Sequence, residues 1–337
     1  ALWFSHGILL EMKLKRTGLL LAFALICFHP TFYFLAGSYN NDMLSVMLAL
    51  GAVYYTLRWY RDSTWKRIGP IALCVGLGMM AKLSVALIAP GIAVVFLFRL
   101  CQGRGRDWKR LLPQFCLFGA ICIPLGLWWQ VRNHLLFDLP ITYVPMLSDE
   151  SWQYVGFHSV TDRLFNFSWY QFESPYMVFP GRNGGTYGEF NPFIGLAKTA
   201  VFGEYTLSTV SKFVFYPSIL LFWVNAALMI GAPVALIGFL IRKKENTPRA
   251  IKGLFLVGFL TIFGSYLQFC FSFAHICTQN IRYAVPLIVF GALFLGKADG
   301  YLAESKSAAA VSVRSLLKIM VVAFCVLSCI NYIALTL

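Results

Sequence analysis

The residues able to do chemistry are few, and they sit where apolar stretches end. Tyr39-Asn40-Asn41-Asp42 places one carboxylate between two apolar runs. Lys82 stands alone within GLGMMAKLSVALIAP (76–90), Arg132 follows Trp128-Trp129-Gln130-Val131, and Arg282-Tyr283 closes HICTQNIRY (275–283). Ionisable side chains in or beside long apolar segments are costly and ordinarily face a cavity or a partner. One carboxylate with two or three cations suits an anionic head group. A planar guanidinium grips phosphate or carboxylate with several donors, and an ammonium adds a point charge. The carboxylate can orient a hydroxyl, take a proton or hold a divalent cation. Each residue also has a plainer role. Asn41 or Asp42 can cap a helix, Lys82 can snorkel to an interface, and Arg132 beside two tryptophans can be an interfacial anchor. Arg282 reads as the start of a helix, where a cation opposes the helix dipole, and this favours an anion partner. His275 and Cys277 are too few for a metal site, so no metal ligands are assigned.

These residues need elements to hold them. The 337 residues are 59% hydrophobic and 12% charged, about half the charge of a soluble domain. Apolar runs of membrane-spanning length recur throughout. This excludes a soluble globule, a disordered chain and a disulfide scaffold. A β-barrel would instead show short alternating segments. The predicted fold is an all-α polytopic membrane protein with about nine to ten transmembrane helices. The 31 apolar residues Ile68–Phe98 would make a helix of about 46 Å at 1.5 Å per residue, too long for one span. Two short helices meeting near Lys82 fit better. The chain divides into transmembrane helices over 1–131, a loop subdomain over 132–212, and transmembrane helices over 213–337. The loop subdomain is expected to be extracytoplasmic, part helical and part irregular. It holds Trp152, Trp169, Tyr170, Tyr176 and Tyr187, and the turn-rich run Pro180–Gly188. The apolar start Ala1–Leu10 reads as the tail of a helix whose beginning is missing.

Charge sets the orientation. Counted by alternating loops, 21 of the 28 basic residues fall on one side. That side is the cytoplasm by the positive-inside rule. The formal charge of +14 thus reports topology and contact with anionic lipid, and nucleic acid is not implied. Asn41, Asp42, Lys82, Arg132 and Arg282 all then lie on the outer face. The nine cysteines avoid the 132–212 loop and read as small apolar residues.

FHPTFYFLAGSYNNDMLSVMLAL (28–50), GLGMMAKLSVALIAP (76–90), GLWWQVRNHLLFDLP (126–140) and NIRYAVPL (280–287) together resemble the polytopic glycosyltransferases of the GT-C class. The likeness is to bacterial glycosyltransferase family 39 proteins, akin to protein O-mannosyltransferases and the aminoarabinose transferase. It extends roughly over Leu14–Leu295 and rests on motif order rather than on any single motif. It implies transfer of a sugar from a polyprenyl-phosphate donor to a glycan, lipid or protein acceptor on the extracytoplasmic face of a bilayer, with a bacterial plasma membrane as the expected location. By resemblance, Asn41-Asp42 matches the family's early acidic motif. Lys82 matches a lysine near the lipid phosphate, and Arg282-Tyr283 a late Arg-Tyr motif beside the donor. Arg132 joins as a supporting cation. The family's main catalytic acid follows its first helix, ahead of the point where this chain begins, so Asp42 is given only an auxiliary role.

In that chemistry Lys82 and Arg282 would stabilise the phosphate leaving group, and a general base would deprotonate the acceptor hydroxyl. No cofactor is required, and Asp42 leaves room for a divalent cation. The alternatives are a transporter or flippase for an anionic lipid or solute, and a non-catalytic subunit of an envelope-assembly complex. Transporters place polar residues near the midplane of inverted repeats. Here those residues gather at one face.

Overall fold

A computed structural model describes the chain except for residues 103–106, 146, 168–178, 181–185, 188, 205–211, 243–245 and 337. It opens with helix α1 (Leu2–Glu11) and α2 (Arg16–Cys27), which bends by 42° into α3 (Pro30–Ala36). The bend has a local cause. Pro30 occupies the first turn of α3, where its missing N–H costs nothing, and His29 Nδ1 accepts the free amide of Thr31 at 3.3 Å. Then come α4 (Asp42–Arg61), α5 (Trp65–Ala81), a 3₁₀ segment Leu83–Ile88, α6 (Ala89–Gln102) and α7 (Trp108–Phe137). The extended backbone of Lys82 (φ −157°, ψ 119°) separates α5 from the 3₁₀ segment, so the long apolar run breaks at the lysine. Helices α8 (Val160–Phe165) and α9 (Pro192–Phe202) flank a pair of two-residue strands, Phe179–Pro180 against Thr186–Tyr187. The chain ends with α10 (Lys212–Ile241), α11 (Arg249–Ser272), two 3₁₀ turns, α12 (Pro286–Glu304) and α13 (Ala308–Thr336).

The protein is an all-α polytopic membrane protein. Among the described residues six helices are long and apolar enough to span a bilayer, or seven with the bent α2–α3 pair. This is fewer than the nine to ten expected. The difference lies in α1, α4 and α5, which pack inside the same bundle. Helix α1 has ten residues and α5 seventeen. Helix α4 has length enough, but Asp42, Arg58 and Arg61 at its ends dilute its apolar character.

Small residues let helices approach closely. A Cβ on Gly296 of α12 would meet the Gly18 carbonyl of α2 at 2.7 Å. One end of the bundle is tied by a set of arginine and lysine contacts. Arg61 pairs with Glu11 at 2.5 Å, Glu304 takes Lys15 at 2.8 Å and Arg242 at 2.5 Å, and Arg99 Nε donates to Ser63 Oγ at 3.1 Å. The opposite end carries the α3–α4 junction, Lys82, and the turns before α12.

Described parts of the 132–212 stretch pack onto that opposite end. Val155 N–H donates to the Ala274 carbonyl at 2.8 Å, and Ile276 N–H to the Gln153 carbonyl at 2.9 Å. Arg163 is buried, donating to the carbonyls of Phe190 (3.2 Å) and Cys270 (2.8 Å) and lying over the Phe271 ring at 4.7 Å. Lys198 and Glu189 form a buried ion pair at 3.0 Å. Trp169, Tyr170, Tyr176, Arg182 and most of the Pro180–Gly188 run lie outside the described residues. Helix α7 continues to Phe137, past the expected boundary at 131, so Arg132 sits in its last turns. Arg163→Ala removes two charge-assisted bonds of about 1.5–3 kcal/mol each. Amide exchange over 153–165 should therefore quicken at least tenfold while α4 and α12 stay protected. Unchanged exchange would show that Arg163 does not tie the loop down.

Candidate functional site

The site forms where three chain breaks meet. Helix α4 begins at Asp42, α5 ends at Lys82, and a one-turn 3₁₀ segment, Ile281–Tyr283, carries Arg282. Asn41 occupies the cap position of α4, but its side chain does not cap. Its amide Nδ2 instead donates to the carbonyl of Ala81, joining the start of α4 to the end of α5. The first-turn amide of Asp42 is met by Asn40 Oδ1 at 3.0 Å, and Ser45 Oγ donates to the Asp42 carbonyl at 2.7 Å. The capping work predicted for Asn41 or Asp42 is thus done by Asn40, leaving the Asp42 carboxylate for other partners.

Those partners are both cations. Asp42 is 0% exposed. Lys82 Nζ donates to its Oδ1 at 2.5 Å, and Arg282 Nε lies 3.0 Å from its Oδ2. The second contact is ionic without a well-aligned hydrogen bond. Lys82 also reaches the Arg282 carbonyl at 3.4 Å. The Tyr283 ring lies 4.8 Å from Lys82 Nζ and 5.8 Å from Arg282 Cζ, and Phe269 packs on it at 4.7 Å. One carboxylate against two cations leaves a net charge of +1. Arg282 is 34% exposed and Lys82 17%. Among the described residues the two Nη groups of Arg282 have no hydrogen-bond partner. A small pocket lined by Ser45, Ser84, Ile262, Arg282, Tyr283 and Pro286 opens beside the cluster.

Several expectations need correction. Lys82 and Arg282 do not wait for an outside anion to neutralise both, because Asp42 is already between them. Both oxygens of Asp42 are taken up by cations, so it does not fit a divalent-cation site. Arg282 precedes α12 by a 3₁₀ turn, so the helix-dipole argument does not apply to it. Arg132 stands apart from the cluster. It bonds Asn133 Oδ1 at 3.1 Å and lies over Trp129 and Phe137 at 4.9 and 5.6 Å, as an interfacial anchor would. His275 serves the loop, with Nε2 3.3 Å from the Ser148 carbonyl.

Two features escaped the sequence. Asn280 Oδ1 accepts from Arg282 N–H at 3.0 Å, while its Nδ2 donates to Glu204 Oε1 at 3.3 Å. Burial pushes the Cys277 thiol above its ordinary pKa. The Glu204 carboxylate adds to that shift and Arg282 opposes it, so both charges lie near one spot. The second feature is an apolar cavity of about 990 Å³ among α2 and α9–α13. Its wall includes Phe193, Phe259, Leu295, Phe324 and Ile281, the neighbour of Arg282.

Residues 2–129, a little over a third of the chain, match the family model described as dolichyl-phosphate-mannose-protein mannosyltransferase. No curated protein and no solved structure matches the chain. The matched region holds Asp42 and Lys82 and ends beside Arg132. Over those residues the chain is similar to this mannosyltransferase family, and its all-helical polytopic architecture agrees with that similarity.

Proposed function

We propose that the chain transfers a sugar from a polyprenyl-phosphate carrier to a hydroxyl acceptor at the extracytoplasmic face, in a bacterial plasma membrane. The observation that carries this reading is the Asp42–Lys82–Arg282 cluster, whose Arg282 lines a small pocket. Asp42 neutralises one cation and holds both in place, and the remaining positive charge faces outward. As the bond from the anomeric carbon to phosphate breaks, negative charge grows on the departing phosphate. Fixed cations in a site of low dielectric stabilise that charge without reorganising. Lys82 supplies an ammonium, and Arg282 two Nη groups that among the described residues have no hydrogen-bond partner, suited to adjacent phosphate oxygens. The apolar cavity that shares Ile281 with the Arg282 turn offers space for isoprenoid chain.

The orientation rests on charge. The end opposite the cluster holds Arg58, Arg61, Arg99 and Arg242, and basic residues favour the cytoplasm. The acceptor is a glycan, lipid or protein hydroxyl reached from the outer face.

The test is release of polyprenyl phosphate from radiolabelled undecaprenyl-phosphate mannose by membranes carrying the full chain. Time-dependent release coupled to label in an acceptor fraction is expected. A chain that binds the lipid yet only moves it between leaflets, leaving the sugar attached, would overturn the reading.

A further inference from the structure

The leaving phosphate carries more charge than the cluster meets. A phosphodiester donor bears one negative charge, which the net +1 of Asp42, Lys82 and Arg282 balances. The phosphomonoester released by transfer bears about −1.5 to −2 at neutral pH. A third cation would repel Lys82 and Arg282 before any ligand arrives. A neutral hydroxyl adds a donor without adding charge. Three hydroxyl side chains, Ser45, Ser84 and Tyr283, line the same pocket as Arg282.

These hydroxyls differ in what already holds them. Ser45 Oγ donates to the Asp42 carbonyl at 2.7 Å. Tyr283 belongs to the cluster through its ring, 4.8 Å from Lys82 Nζ. Ser84 is half-buried, and among the described residues its Oγ has no hydrogen-bond partner. The reason lies in the chain break. A serine or threonine inside a helix can return its hydroxyl to a carbonyl three or four residues back. Thr56 does so to Ala52 at 2.7 Å and Thr261 to Val257 at 2.8 Å. For Ser84 those carbonyls belong to Ala81 and Met80. Asn41 Nδ2 already donates to the Ala81 carbonyl. The extended backbone of Lys82 takes both carbonyls out of helical register with Ser84. The break that brings Lys82 to Asp42 therefore leaves the Ser84 donor unused in the wall of the Arg282 pocket.

We propose that Ser84 is a phosphate-binding residue, donating its hydroxyl to an oxygen of the lipid phosphate held by Lys82 and Arg282. This deepens the glycosyltransferase reading and rests on it. Hydrogen bonds to ionised acceptors are roughly twice as strong as neutral ones. As the sugar departs, charge on the phosphate rises, and the Ser84 bond strengthens with it. The side chain thus favours the leaving phosphomonoester over the intact donor, and it neither takes nor gives up a proton.

The experiment measures binding of undecaprenyl phosphate and of undecaprenol to the full chain in lipid nanodiscs. Ser84→Ala should weaken binding of the phosphate about tenfold, as expected for one hydrogen bond to a charged group, and leave binding of the alcohol within about twofold of the parent. Ser84→Thr keeps a hydroxyl and should recover part of the loss. Parent-like phosphate binding by Ser84→Ala would overturn the assignment while leaving Lys82 and Arg282 as phosphate ligands. An equal loss for phosphate and alcohol would also overturn it, because that pattern marks a packing role. A parent chain that binds the two lipids equally would overturn the phosphate site as a whole, and Ser84 with it.

Discussion

Asp42→Asn is expected to lower the stability of the protein more than any other single change at the site. The substitution keeps the shape of the side chain and removes its charge. Lys82 and Arg282 would then face each other across a neutral amide at a position with 0% exposure. Leaving a buried charge without its partner costs about 3–5 kcal/mol. The lower end applies here, because Arg282 keeps 34% of its side chain exposed. Thermal unfolding in detergent should show a clear fall in midpoint for Asp42→Asn. Pairing it with Lys82→Met should recover part of the loss, since removing both partners of an ion pair costs less than removing one. An unchanged midpoint for the single variant would show that the cluster does not form.

The second large effect concerns donor affinity. Removing Lys82 or Arg282 takes the cluster from a net charge of +1 to zero. A charge-assisted hydrogen bond contributes about 1.5–3 kcal/mol, so Lys82→Ala and Arg282→Ala should each weaken use of the lipid-phosphate donor by about tenfold to a hundredfold. Arg282→Lys should recover only part, because a point charge cannot replace the guanidinium fork. The donor-concentration dependence of transfer measures this. Half-saturation that stays put in both alanine variants would remove the phosphate from this site. Asp42 stays charge-paired in either variant, by the remaining cation, so protein levels should hold.

Much of the architecture was legible because it follows from lengths. A 31-residue apolar run is longer than a bilayer is thick, and the break at Lys82 follows from that mismatch together with the lone charge. The one-sided distribution of basic residues likewise separates the two ends of the bundle. The cluster was less legible. Residues 42, 82 and 282 lie on separate segments, and no local pattern says that three breaks in the chain will meet. The charge of Asp42 was visible, but its role as the shared counter-ion was not. The anion that neutralises Lys82 and Arg282 comes from the fold itself. Arg132 had the same residue type and the same expected face as Arg282. Yet it remains on α7 with Trp129 and Phe137, because neighbouring rings satisfy it locally. The apolar cavity could not be read at all, since each helix lining it reads as an ordinary apolar segment and the void exists only between them.

The central claim is that the Asp42–Lys82–Arg282 cluster reads the phosphate of a membrane lipid. The most direct test compares binding of undecaprenyl phosphate with binding of undecaprenol to the full chain in lipid nanodiscs. The two ligands share a chain and differ only in the phosphate. The phosphate should bind at least a hundredfold more tightly to the parent, and that preference should collapse in the Lys82→Ala/Arg282→Ala double variant. Equal binding of the phosphate and the alcohol by the parent chain would contradict the account.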